Sequence, residues 1–112
     1  MENNLEKRQN EYARAINIWG TYSQMEMALE ETIELSLAIR KILRNNNDKT
    51  LQDLVGEVAD VKIMIEQIEL IMKDENFSSK VSQVMDYKIN RLRKRLDERS
   101  FEALAHEDKV RP

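Results

Sequence analysis

Cysteine is absent from the 112 residues. That excludes a disulfide framework, a thiolate zinc site and a cysteine nucleophile. Glycine occurs twice and proline once, so little interrupts helical structure. With 41% apolar and 35% charged residues, the composition reads as a soluble, helix-rich chain. The one histidine, His106, sits in a polar C-terminal stretch. No apolar run is long enough to span a membrane. The opening Met1-Glu2-Asn3-Asn4 does not have the character of a signal peptide, and a cytoplasmic location is expected. A net charge of −3 argues against sequence-independent, stable nucleic-acid binding. The length fits one domain. A compact chain of this size buries roughly two-thirds of its unfolded surface, whereas an elongated helical hairpin buries less and favours an oligomer.

Helical periodicity divides the chain into four segments. Asn3 or Asn4 caps a first helix to about Ile18, with Leu5, Tyr12, Ala15, Ile16 and Trp19 on one stripe. Gly20 ends it, making Trp19-Gly20-Thr21 a corner. The second helix runs from about Thr21 to Arg44 and is apolar around much of its circumference, which calls for packing on more than one side. Asn45 to Lys49 is a polar loop. Thr50 reads as an N-cap, with Asp53 as its capping-box partner, and the third helix continues to about Met72 or Lys73. After a break at Asp74 to Ser78, Ser78 or Ser79 caps a fourth helix to about Arg99, with Val81, Val84, Met85, Ile89, Leu92 and Leu96 on its apolar face. Residues 1–99 form a single helical domain on this reading, and 100–112 form a polar tail. Lys88, Arg91, Arg93, Lys94, Arg95 and Arg99 make the fourth helix locally basic, suited to an anion or simply to solvent.

Two acidic pairs organise this pattern. Glu31 and Glu34 lie on the second helix, Glu57 and Asp60 on the third, each at i, i+3 spacing. Glu31 shares a row with Ala28, Leu35, Ala38 and Ile42. Glu57 shares one with Val61, Met64 and Ile68, and Asp60 points beside Met64 and Ile71. Carboxylates aimed at a core are costly unless something pairs with them. A short loop makes the two helices antiparallel neighbours, and counting from it puts the pairs roughly 4–5 Å apart in level. Four carboxylates meeting there would repel, and a hard divalent cation relieves that. Neither pair contains histidine, which disfavours di-iron and zinc chemistry. All-oxygen ligation suits Mg²⁺ or Mn²⁺.

Glu30-Glu31-Thr32-Ile33-Glu34, a spacer of 22 residues, and Glu57-Val58-Ala59-Asp60 resemble the signature of the MazG-like, all-α nucleoside triphosphate pyrophosphohydrolases. Trp19-Gly20, Gln24 and Tyr87-Lys88-Ile89-Asn90-Arg91-Leu92 are similar to stretches of the small members often encoded by phages. The resemblance spans about Trp19 to Leu96, and the basic motif with an aromatic-Pro ending that some members carry is missing. It implies a four-helix bundle with antiparallel central helices, assembled as a homodimer or as a tetramer of dimers. It also implies Mg²⁺-dependent cleavage of a nucleoside or deoxynucleoside triphosphate to the monophosphate and pyrophosphate, with Glu31, Glu34, Glu57 and Asp60 as metal ligands.

Roles for other residues follow from that resemblance. Glu34, or else Glu31, would activate water. Lys88 and Arg91 would neutralise phosphate charge, the alternative being solvation or an intersubunit salt bridge. Gln24 and Trp19 would read the base by amide hydrogen bonds and stacking, the alternatives being a surface amide and a core ring. The competing function is a non-catalytic helical interaction module that retains the fold.

Overall fold

A computed structural model describes the backbone of residues 2–110 and the side chains of residues 2–102. Its regular elements are all helical: α1 (Asn4–Trp19), α2 (Thr21–Arg44), α3 (Asp48–Ile71), a short 3₁₀ turn at Lys73–Glu75, and α4 (Phe77–Val110). Among the described residues there is no strand. The chain divides into two compact units, Met1–Glu75 and Asn76–Pro112. In the first, α2 and α3 form an antiparallel hairpin, and α1 packs against both.

The corners follow from local chemistry. Asn3 caps α1, its Oδ1 accepting from the Glu6 N–H at 2.8 Å. Gly20 sits at φ 93°, ψ 155°, a conformation side chains disfavour. Its N–H bonds to the Ile16 carbonyl at 2.8 Å, and its carbonyl accepts from the Gln24 N–H at 3.2 Å. One residue thus closes α1 and opens α2, and α2 spans the range expected from the sequence.

The start of α3 differs from the sequence expectation. Asn47, not Thr50, is the N-cap, and Thr50 is the third helical residue. Asn47 Oδ1 accepts from the Thr50 N–H at 2.9 Å, and Thr50 Oγ1 accepts from the Asn47 N–H at 3.0 Å. The Thr50 hydroxyl is also within 2.8 Å of the Asn45 carbonyl. Asparagine caps at least as well as threonine, and Thr50 completes the reciprocal box that Asp53 was expected to supply. Asp53 instead faces Lys49 at 3.8 Å on the exposed surface.

The fourth helix also differs. It begins at Phe77, directly after Asn76 in the left-handed region at φ 54°, a conformation asparagine tolerates better than most residues. Ser78 and Ser79 therefore lie inside the helix. Its backbone continues past Arg99 to Val110, so most of the expected tail is helical in backbone. No Gly or Pro interrupts it before Pro112.

The fully buried set of the first unit is small: Tyr12, Ala28, Ala38 and Met64, with Gln24 and Gln67. Ala28 and Ala38 present little bulk on the α2 face that meets α3, which lets the helices approach closely. Leu35, Ile42, Leu54, Val61 and Ile68 are half-buried along the same seam.

The capping box gives a direct test. Asn47→Ala should lower stability by about 1 kcal/mol in denaturant unfolding, with helix content otherwise retained. An unchanged midpoint would show that the box does not define the start of α3.

Candidate metal-binding cluster

The hairpin brings three of the four signature acids together. One carboxylate oxygen each from Glu31, Glu57 and Asp60 lies within 4.8 Å of the others. Glu31 and Glu57 are half-buried and Asp60 is exposed. This is the level match expected from a short loop. It arises because Asn47 starts α3 directly after the loop and fixes the register between the two seam-facing rows.

Glu34 lies one turn beyond Glu31 on α2, is exposed, and stands outside the three-oxygen group. It is near enough for its charge to weigh on Glu31. Burial, then the negative charges of Asp60 and Glu57, push the Glu31 carboxyl above its ordinary value, and a hydrogen bond with Glu57 adds to this.

The donor set fits a hard divalent cation. It consists only of carboxylate oxygens. Glu57 Oε2 is buried without a hydrogen-bond partner. Among the described residues, no lysine or arginine lies within ion-pair distance of Glu31, Glu57 or Asp60. Converging negative charge with one buried oxygen unspent is what a cation would relieve.

The expected substrate-binding residues fall in different settings. Gln24 is 2% exposed, with Nε2 unpartnered; it is a buried amide rather than a surface one. Trp19 is 62% exposed, so it is not the core ring that a sole tryptophan at a corner suggests. Gly20 ends α1 beside it, and the ring faces outward. An open cavity of about 480 Å³ lies at this corner, lined by Ile16, Asn17, Thr21, Leu70 and Lys73 among others, without Trp19. Lys88 and Arg91 lie on α4, in the second unit. With Leu92 and Arg95 they line a shallow cavity of about 240 Å³. Arg91 rests over the Tyr87 ring, 5.9 Å from its centroid.

Two features carry little sequence signal. Gln67 is buried, with Oε1 unpartnered. It lies seven residues past Asp60 on the seam-facing side of α3, so extending the acidic row by two turns would have pointed to it. The second is a clasp between α1 and α3. Arg8 donates from Nε and Nη2 to the two Glu66 oxygens, each at 2.8 Å, and Tyr12 Oη donates to Glu66 Oε1 at 2.5 Å. Burial, then the bond to Glu66, pushes the Tyr12 hydroxyl up to about 12, while the Arg8 bond holds Glu66 below its ordinary value. The partners are 58 and 54 residues apart in sequence, so no local pattern links them.

No protein-family model, curated protein or solved structure matches the chain. The functional reading therefore rests on the residues themselves.

A pH series in chelator tests the cluster. The raised value of Glu31 means its neutral form is favoured in the fold, so metal-free protein should lose stability as pH rises from the ordinary carboxylate range toward neutrality. Glu31→Gln should lack that loss and melt at or above the wild type at neutral pH. Parallel melting curves across the series would show that Glu31 is not under like-charge stress.

Proposed function

We propose that this chain is a MazG-like, divalent-metal-dependent nucleoside triphosphate pyrophosphohydrolase. The observation that carries the reading is the convergence of Glu31, Glu57 and Asp60 oxygens within 4.8 Å, from the two motifs that carry the family resemblance. In this reading Glu31, Glu57 and Asp60 hold the ion, with Glu34 beside them. Mg²⁺, or Mn²⁺ in its place, would supply charge neutralisation and orientation of the triphosphate.

The protein groups then have distinct tasks. Glu34, the exposed acid outside the three-oxygen group, is the carboxylate most free to take a proton from the attacking water. Water adds to the α-phosphorus, the α–β anhydride bond breaks, and pyrophosphate leaves with the electron pair. Glu31, whose carboxyl burial and neighbouring like charge push above its ordinary value, is the second candidate for that proton. Trp19 is assigned to base stacking, which its exposure permits. Gln24 is also assigned to the base.

The same reading includes a homodimer or tetramer. Tyr22, Leu29, Ile33 and Leu43 on α2 are 60–81% exposed, and Val84, Met85, Ile89, Leu92 and Leu96 form an exposed row on α4. Large apolar residues in such number are a usual mark of an interface. No helix among the described residues is long and apolar enough to cross a membrane.

Pyrophosphate release from a panel of nucleoside and deoxynucleoside triphosphates in Mg²⁺ tests the activity. Wild type should turn over at least one of them. Glu57→Gln and Asp60→Asn should lose about a hundredfold or more with helix content unchanged by circular dichroism. Activity retained in Asp60→Asn overturns the metal assignment. A wild type inert on the whole panel, with either ion, leaves the non-catalytic interaction module as the function.

Light scattering at micromolar concentration should give at least twice the 13.3 kDa chain mass. A mass near 13.3 kDa under those conditions would remove the oligomer from the reading.

A further inference from the structure

Tyr12 is the one buried residue of α1; Ala15 and Ile16 are half-buried, and Leu5, Ile18 and Trp19 are exposed. What ties it down is the polar clasp, in which both Glu66 oxygens take a bond from Arg8 at 2.8 Å and one also takes the Tyr12 hydroxyl. Charge-assisted, two-pronged bonds of this kind are strong and directional. At its other end α1 meets α2 through Gly20, which has no side chain to wedge the corner and gives α2 no side-chain cap.

An element with a single buried side chain, a polar tie and a glycine at its corner belongs to the part of a fold that opens first.

We propose that α1 is a strap that swings as a unit about Gly20 and is held shut by the Arg8–Glu66–Tyr12 clasp. The strap does not rest on the proposed hydrolase activity.

Amide hydrogen exchange on the full chain tests the proposal, comparing wild type with Glu66→Gln and Arg8→Gln at one neutral pH. Arg8 is solvent-exposed, so Arg8→Gln decides the matter even if Glu66→Gln folds poorly. The expected result is that amides of residues 4–19 exchange at least about tenfold faster in the variants, while those of residues 28–38 and 57–64 change less than about twofold. Equal acceleration in both regions would show that α1 opens only with the whole fold. No acceleration in residues 4–19 would show that the clasp does not hold it. Either result overturns the strap, and neither bears on pyrophosphate release.

Discussion

Like charge brought together at the seam of two helices is the constraint on which the rest of the structure turns. Glu31, Glu57 and Asp60 approach one another only because each stands in a row that otherwise carries the apolar contacts of the hairpin. Ala28 and Ala38 bracket Glu31 on α2 and are buried, so the helices meet closely where the acids are. The register is set by the loop, where the Asn47–Thr50 box starts α3 within three residues of the end of α2. A box placed three residues later would shift α3 by nearly a turn. The carboxylates would then separate along the helix axis, and Glu57 Oε2 would lose its confined position.

The second feature is how little apolar surface the first unit buries around that polar centre. Four hydrophobic residues are buried, and two glutamines are buried with them. The helices are long, yet many of their leucines, isoleucines and methionines remain exposed. A small three-helix unit of this kind draws stability from polar ties as well as from its core. The Glu66 clasp is one such tie, pairing a partly buried carboxylate with a guanidinium and a phenol. It fastens α1 to α3. The acid cluster and the clasp thus use carboxylates in opposite ways. In the clasp Arg8 holds Glu66 below its ordinary value, whereas in the cluster burial and like charge push the Glu31 carboxyl above its ordinary value.

Much of this was legible along the chain. Gly20 and Asn45 mark the ends of α2, and the observed Thr21–Arg44 matches them, because glycine and asparagine act on the backbone within a turn. The seam rows were legible from spacings of three, four and seven, and the nearness of Glu31 to Glu57 and Asp60 from loop length alone. The start of α3 was misplaced because Asn47 and Thr50 both cap helices, and their order is decided by a reciprocal pair of bonds. Whether Trp19 was a core ring or an exposed one stayed open along the chain, because periodicity gives a residue's face but not whether a neighbour covers it.

What the sequence by itself determined is therefore local and periodic: four helical stretches, the acidic pairs and the faces they share, each fixed by backbone preference within a few residues. What only the tertiary structure decided is which residue finds which partner across the chain. Arg8 and Tyr12 meet Glu66 more than fifty residues away. Gln24 and Gln67 end up buried with unspent atoms, and Glu34 remains outside the group that Glu31 joins. The physical reason is that helical geometry repeats every few residues and can be counted, whereas contact between helices depends on packing that no single segment contains.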